Sequence, residues 1–477
     1  MIRFQFRLVF AFLLLILLPV HLVAQGGSAP VIVSATVQYE PEIPRQLTIS
    51  GRNFKPSGTN PTVYFGSVLL TSLQSATDTL IEASVPPTPP GTYLLSMTNS
   101  KKVTGTAYVT IGAVGPPGVG GDQPFEATVH CGDGGKVIDA LNQAGYRTAR
   151  TFINIDGFCD EQVDLSQNNV TFRPLVKGSD AGIGNLFLFG PHGILIEDLK
   201  LGGLEATNNA AFEATNLRMD RPTWGNIRVG ASSSGALFNP TLTNCSANLT
   251  NLNNCIAVGG GGYLIVLGGT LGGISGEGNR GGIVVDNGGS IDIMGTVIQG
   301  FERQGLAVNG GGSAYLDGAT IEEGANRGIR VHGAVTLFQT VIKNNARVGI
   351  DVWPGGRVQM DGTEIRANGS GINARAGVLD ISNGRISENR GPGIVAGSAS
   401  SLSLTEAVIE QNDGDGIRLH DVSFMASYGS TVTGNSWWGL YCSSAPAVAQ
   451  YSGDLAASGN GDGSPAYQIR CPQSYPY

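Results

Sequence analysis

The chain has 477 residues, of which 71 are glycine and 14% are charged, and its formal net charge is −8 at pH 7. This mildly acidic balance argues against a nucleic-acid partner, because nucleic acids select basic surfaces. Such a length suits two or three domains, and one of them can be a long repeat array. Regularly placed Val, Ile and Leu residues argue against the disorder that so much glycine can indicate.

Residues 1–24 are typical of a secretory signal peptide. Arg3 and Arg7 give a positive start, an apolar run covers 8–20, and Ala24 is a small residue suited to cleavage. The alternative is an uncleaved membrane anchor. No later segment approaches the ~20 apolar residues that span a bilayer. We therefore expect a secreted or cell-surface protein, with no membrane span once the signal is removed.

Residues 30–112 predict a β-sandwich of several short strands. Apolar and polar residues alternate in 31–37 and again in 46–50, and turn residues separate the segments. The order of motifs resembles the IPT/TIG family of immunoglobulin-like domains, in the segments Leu47–Phe54, Val63–Gly66 and Gly91–Tyr93. The resemblance implies an Ig-like fold with a spacer or binding role, and it brings no catalytic residues.

Residues 113–124 are predicted to be a Gly/Pro linker similar to a short collagen segment. Its glycine triplets are too few to hold a triple helix on their own, so a semi-extended spacer is favoured. A trimer is the oligomer that such triplets suit. After the linker, apolar residues recur at helical spacing in 136–144, which suits a small helix that closes the end of a repeat array.

A repeat of about 22 residues runs through the last third of the chain. An Ile or Leu directly follows seven glycines spaced 21 to 23 residues apart, namely Gly305, Gly328, Gly349, Gly371, Gly393, Gly416 and Gly439. An aliphatic residue stands six or seven positions before each glycine. An asparagine precedes five of them by three or four positions, namely Asn345, Asn368, Asn389, Asn412 and Asn435. This period, with alternation inside each unit, indicates a stack of short parallel strands.

The repeat resembles the right-handed parallel β-helix of the pectate-lyase-like fold, over roughly 125–451. A leucine-rich repeat or a propeller would show a different pattern or a longer period. Inward aliphatic side chains are expected to stack about 4.8 Å apart on successive coils, and the asparagines to ladder at a left-handed bend. The stretch 178–260 is expected to be less regular. The predicted fold class is all-β, with an Ig-like β-sandwich followed by a β-helix over 125–477.

Six cysteines in a secreted chain predict disulfides rather than a metal site, because there is no Cys-x-x-Cys pair. Proximity along the sequence favours the pairs Cys131–Cys159, Cys245–Cys255 and Cys442–Cys471, although six cysteines allow 15 pairings. The first pair would fix an N-terminal cap, and the last would tie the tail to the final coils.

One outward face of the repeat carries the candidate ligand-binding residues. If the residue after each glycine points inward, the second and fourth residues beyond the glycine point outward. Three adjacent coils then place six side chains together, namely Arg330, His332, Asp351, Trp353, Asn373 and Arg375. Such a patch suits a saccharide, since Trp can stack on a sugar ring while Asp, Asn and Arg bind its hydroxyls or carboxylates.

The β-helix fold hosts lyases, hydrolases, epimerases, phage spikes and adhesins, so it implies no single activity. The favoured hypothesis is non-catalytic binding of extracellular polysaccharide. An acidic-glycan lyase or glycoside hydrolase is the alternative, and calcium would be the cofactor of a lyase. A structural stalk or adhesin that contacts protein is a third hypothesis. Trp437 and Trp438 either cap the last coil or form an aromatic platform.

Overall fold

The structure is a computed structural model that describes residues 30–40, 43–55, 58–66, 68–85, 91–100, 102–111, 123–145, 149–220, 227–245, 254–273, 281–286, 288–421, 423–443, 450–461 and 468–471. The chain divides into two compact units between Ile111 and Gly112. The predicted signal peptide and most of the predicted linker lie outside the described residues. None of the helices in the described ranges is both apolar enough and long enough to cross a bilayer.

The first unit is a β-sandwich, as predicted. One antiparallel sheet contains, in spatial order, Val31–Glu40, Ile43–Arg52, Leu80–Ser84 and Leu73–Ala76. The other contains Val68–Leu69, Thr62–Phe65, Gly91–Thr98 and Thr104–Ile111. The alternating apolar residues of both sheets meet in one core whose members include Leu47, Ile49, Val63, Phe65 and Leu95.

The second unit begins with a short capping element. The strand Phe125–His130 leads into the 3₁₀ turn Cys131–Asp133 and the helix Val137–Ala144. The helix buries Val137, Ala140, Leu141 and Ala144 in the core of the unit. At its first turn, the backbone N–H of Val137 donates to Oε1 of Glu161 at 2.6 Å. The helix packs on the first strands, as the helical spacing predicted.

The rest of the second unit is a parallel β-helix whose coils contribute strands to three sheets. Sheet 1 contains Phe125–His130, Thr151–Asp156, Val170–Pro174, Ile194–Glu197, Ala211–Thr215, Ser234–Phe238, Tyr263–Leu267, Ser290–Met294, Ser313–Asp317, Ala334–Phe338, Arg357–Asp361, Val378–Ser382, Ser401–Thr405, Phe424–Thr433 and Gln450–Ser458. Sheet 2 contains Phe158–Leu165, Gly182–Phe189, Lys200–Thr207, Ile227–Val229, Asn254–Val258, Gly281–Val285, Gln304–Val308, Arg327–Val331, Val348–Val352, Ser370–Arg375, Ile394–Gly397, Ile417–Leu419, Leu440–Cys442 and Ile469–Arg470.

Sheet 3 consists of short strands, namely Arg218–Asp220, Thr241–Thr243, Thr270–Gly272, Val297–Gln299, Thr320–Glu322, Val341–Lys343, Glu364–Arg366, Arg385–Ser387 and Val408–Glu410. The last two strands of sheet 1 run on past a bend and pair here as well. Parallel pairing continues through the described strands of 178–260, but the coils there differ in length, from 18 residues between Leu186 and Leu204 to 29 between Ile227 and Ile256, so this stretch is less regular, as expected. The coils there keep the inward aliphatic positions, although their glycine spacing differs from the later repeat.

The core follows the predicted columns. The residues that follow the seven repeat glycines are all fully buried, and each pairs in register with its equivalent on the next coil. Burying one such Ile or Leu stabilises the fold by about 1.5–3 kcal/mol. The glycines are needed for space, as Gly349 illustrates. A Cβ atom there would lie 2.7 Å from Cγ2 of Ile365 and 2.8 Å from the carbonyl oxygen of Gly371.

The predicted asparagine column forms a buried hydrogen-bonded ladder. From Asn368 onward, each side-chain oxygen accepts from the backbone N–H of the asparagine one coil earlier, at 2.9 to 3.1 Å, and from its side-chain amide, at 2.8 to 3.2 Å. The ladder has a sixth member, Asn460, which binds Gln468. The left-handed residue is not the asparagine but the residue before it, as at Asn344, Ala367 and Glu388.

Three disulfides join the pairs that sequence proximity favoured, Cys131–Cys159, Cys245–Cys255 and Cys442–Cys471. The first links the capping turn to sheet 2. The last links the final full strand of sheet 2, Leu440–Cys442, to the residue that follows Ile469–Arg470. Both ends of the β-helix are therefore covalently tied.

Replacing Asn389 with Ala should lower the free energy of unfolding by about 2–4 kcal/mol, because several buried partners lose a bond and each costs about 1–3 kcal/mol. Urea denaturation followed by circular dichroism measures this. The control is Asn383→Gly, which removes an exposed amide at a left-handed position that glycine tolerates. An Asn389 variant as stable as this control would contradict a stabilising ladder.

Candidate functional site

Sheet 2 places the six predicted site residues on adjacent coils. Arg330 pairs with Asp351, and Asp351 pairs with Asn373, so the three occupy one column. His332 and Trp353 follow their strands by one position. Arg375 ends the next strand. The predicted alignment of these positions therefore matches the register of the sheet.

Asp351 is the centre of this cluster. It points away from the core of the coils, yet only 1% of its surface is exposed, because neighbouring side chains cover it. Its Oδ2 atom accepts from Nε of Arg327 at 2.6 Å and from Nε1 of Trp353 at 2.9 Å. Its Oδ1 atom accepts from Nδ2 of Asn373 at 3.2 Å. The carboxylate thus fixes three side chains rather than facing solvent.

A stack of three side chains runs beside this carboxylate. The rings of His332 and Trp353 lie with centroids 5.1 Å apart. The guanidinium of Arg375, which is one coil further on, lies 5.3 Å from the centroid of the Trp353 ring. Trp353 is half-buried, and Arg375 is exposed. The indole is therefore held in place while part of its surface remains accessible.

Arginines dominate the charge of this face. Arg330 donates through Nη2 to Oδ1 of Asn309 at 3.0 Å, and Asn309 in turn donates to Asp286. Partial burial, followed by repulsion from Arg303 and Arg327, lowers the pKa of the Arg330 guanidinium from its ordinary value. A guanidinium stays protonated in spite of such a shift, so the positive field persists.

A groove of about 380 Å³ lies next to Asp351. It is lined by Asn326, Arg327, Arg347, Val348, Asp351, Gly369, Ser370, Asn373 and Arg375. Among the described residues, Oδ1 of Asn326 and Nε of Arg330 are buried polar atoms without a hydrogen-bond partner. Three arginines therefore face a groove in which the one carboxylate is already engaged by protein donors.

The structure adds Arg327, Arg347 and Arg303 to the predicted set. These three lie outside the predicted site positions, which are the second and fourth after each glycine. Arg327 stands one position before Gly328, and Arg303 and Arg347 stand two positions before their repeat glycines. The first and second positions before each repeat glycine therefore carry the sequence signal for these three arginines.

The described residues contain no group of three or more His, Cys, Asp or Glu side chains arranged to hold a metal ion. Trp437 is 56% exposed, whereas Trp438 is half-buried against Tyr441, with ring centroids 6.0 Å apart.

Two family profiles match the chain. Residues 30–111 match the IPT/TIG domain, and residues 304–460 match the right handed beta helix region. The chain therefore carries an IPT/TIG domain followed by a right-handed β-helix, which confirms both resemblances. No curated protein sequence matches it.

Several solved structures share part of this architecture. A mutant of the periplasmic alginate epimerase AlgG is 12% identical, with a TM-score of 0.39 over 62% of this chain and 78% of that chain. The A-module of the Azotobacter vinelandii mannuronan C-5 epimerase AlgE6 is 15% identical, with a TM-score of 0.27 over 67% and 93%. The Agl-KA catalytic domain is 13% identical, with a TM-score of 0.30 over 94% and 90%. Likenesses this low carry no argument about activity.

The imidazole of His332 should titrate below its ordinary pKa of 6.5, because partial burial and then Arg330 lower it, against an opposing effect of Asp351. Arg330→Gln should raise this pKa, which NMR titration of the ring measures. Protonation is disfavoured in the folded state, so the unfolded chain binds more protons just below pH ~6.5 and stability falls as the pH drops through that value. An unchanged pKa in the variant would refute the charge coupling.

Proposed function

We propose that this is a secreted protein that binds an acidic polysaccharide along sheet 2 of its β-helix. The proposal rests on one observation, which is the arginine-lined groove beside the half-buried Trp353. The exposed part of the indole, between His332 and Arg375, supplies apolar contact for a sugar, and the guanidinium groups supply paired donors for carboxylate or sulfate. Three disulfides and the signal-like start support an extracellular location.

The local charge selects an anionic ligand. The whole chain is acidic, yet Arg327, Arg347 and Arg375 line one groove, and Arg330 lies close enough to Arg303 and Arg327 to be repelled by them. Mutual repulsion among fixed cations is relieved when an anion enters, so the arrangement favours a ligand with several negative charges. A neutral glycan would leave this repulsion in place.

The cluster is better suited to binding than to hydrolysis. Glycoside hydrolysis requires two carboxyl groups at a defined separation. Asp351 is enclosed and accepts from three donors, which leaves it little capacity to attack or to transfer a proton. Fixing Arg327, Trp353 and Asn373 in advance reduces the entropy lost when a ligand binds.

A lyase or related enzyme is the second candidate, and His332 favours it. Its lowered pKa keeps the ring neutral near pH 7, and a neutral imidazole beside arginines can accept a proton from a bound uronate. The arginines would stabilise the negative charge that develops on the sugar carboxylate. In this case His332→Gln should abolish product formation while leaving binding largely intact.

Binding is tested with the purified chain on polygalacturonate, polymannuronate, hyaluronan, heparin and neutral dextran. We expect affinity for at least one anionic polymer and none for dextran. Trp353→Ala should weaken binding about tenfold, equivalent to ~1.4 kcal/mol. Arg347→Gln should also weaken it and reduce its dependence on salt. Calorimetry at two salt concentrations gives both quantities.

Two matched variants serve as controls. Tyr428→Ala removes an exposed aromatic side chain from sheet 1, and Arg357→Gln removes an exposed arginine from the same sheet. Neither should alter binding by more than the experimental error. Equal losses in site and control variants, or no affinity for any anionic polymer, would exclude this function and favour the stalk or adhesin hypothesis.

A further inference from the structure

A second cluster on the β-helix repeats the arrangement around Asp351. Asp415 is also 1% exposed, and its Oδ2 atom accepts from Nε of Arg418 at 2.7 Å. Its Oδ1 atom accepts from the backbone N–H of Trp438 at 3.1 Å. The guanidinium of Arg418 lies 5.8 Å from the centroid of the Trp437 ring. A buried aspartate, an arginine held through Nε and an accessible tryptophan thus occur twice.

The two arginines present the same free donors. Arg327 and Arg418 each use Nε to bind their aspartate. Within the described ranges, no protein acceptor takes the terminal Nη groups of either side chain. These groups are the pair that binds a carboxylate or a sulfate in a forked geometry. Each cluster therefore combines a preset guanidinium with an aromatic face.

The C-terminal tail contributes to the second cluster. Arg470 lies 5.3 Å from the ring centroid of Trp438 and 5.7 Å from that of Tyr441. Its neighbour Cys471 is bonded to Cys442, which directly follows Tyr441. The disulfide therefore holds a second guanidinium over this aromatic pair. The tail does more than cover the last coil, because it brings an exposed charge to the face.

Small residues connect the two clusters. Three positions before the paired inward residues Ile372, Ile394 and Ile417 stand Gly369, Gly391 and Gly414, and Trp437 takes the same position before Leu440 on the following coil. A Cβ atom at Gly391 would lie 2.8 Å from the carbonyl oxygen of Gly369, so the backbones there are closely packed. Gly369 lines the groove beside Asp351. These three glycines therefore form a strip without side chains that leads from that groove toward Trp437.

The distance between the clusters sets the size of the ligand. Asp351 and Arg418 belong to one column and are three coils apart, through Asn373 and Val395. At about 4.8 Å per coil they are separated by ~14 Å. Tyr441 is one coil further. A disaccharide seated at Trp353 is too short to contact Tyr441, which is four coils and ~19 Å from Asp351, whereas a longer chain laid along the axis of the β-helix contacts both.

We propose that Arg418, Trp437, Trp438, Tyr441 and Arg470 form a second subsite for the same anionic polysaccharide chain, held in place by the Cys442–Cys471 disulfide. This inference rests on the proposed function and adds that affinity depends on the length of the polysaccharide chain. Once a long chain is bound at one subsite, its binding at the other is intramolecular. This raises the affinity for long chains without new contacts elsewhere.

The test compares a disaccharide with a dodecasaccharide, each prepared from polygalacturonate as the carboxylate probe and from heparin as the sulfate probe. For at least one probe, the wild-type chain should bind the dodecasaccharide at least tenfold more tightly than the disaccharide. Trp437→Ala and Arg470→Ala should each remove most of this advantage and leave disaccharide binding at Trp353 unchanged. Trp353→Ala should weaken both oligomers.

Tyr428→Ala again controls for the loss of an exposed aromatic side chain. Selective reduction of the disulfides under native conditions, with circular dichroism to verify the fold, should reproduce the Arg470 result. Full dodecasaccharide affinity in Trp437→Ala, with Trp353→Ala impaired, would overturn the second subsite while the proposed function stands. Absence of wild-type binding to both probes and to the polymers tested above would remove the two proposals together.

Discussion

The parallel register between coils is the constraint on which the other features depend. Backbone hydrogen bonds hold each strand about 4.8 Å from its equivalent, so a residue type repeated at one position of the sequence becomes a column in space. A shift of one residue would exchange inward and outward faces. The buried aliphatic columns oppose such a shift, because every coil would then expose Ile or Val and bury a polar side chain.

The asparagine ladder strengthens the same register by a different mechanism. Each buried amide donates to a backbone carbonyl of the preceding coil and to the next asparagine, so its hydrogen bonds are satisfied only when adjacent coils are aligned. At internal coils, glycine leaves room for this ladder. At the last coil, Gln468 takes the glycine position, and its side chain accepts from Asn460. No further asparagine is available there, so the glutamine ends the ladder.

Much of this architecture could be predicted from the sequence, because a period of 22 residues with strand alternation leaves few alternatives. The alignment that placed Arg330, Asp351 and Asn373 in one column needed only the glycine positions. The sixth asparagine was missed because Gln468 breaks the glycine pattern at the last coil. The lower regularity of 178–260 was predicted, since inward residues are spaced less evenly there, but the parallel pairing of its described strands could not be read from that spacing.

The environment of the site residues could not be predicted in the same way. Alternation indicates that Asp351 points outward, but it does not show that Arg327, Trp353 and Asn373 close over it. Burial of an outward carboxylate depends on long side chains from adjacent coils and on their rotamers. The identity of the arginine partner was missed for this reason, and with it the similarity to the pair of Asp415 and Arg418.

That similarity explains why arginine rather than lysine suits these positions. Taking an aspartate out of water is costly unless donors satisfy it, and a guanidinium can do so through Nε while keeping its terminal donors for another anion. An ammonium group has a single nitrogen and no rigid fork, so the same ion pair would hold it less firmly and present less to a ligand. Each buried aspartate therefore holds the guanidinium of a flexible arginine in one orientation. The fixed spacing between coils sets the distance between two such donors, and this distance selects charged chains long enough to contact both.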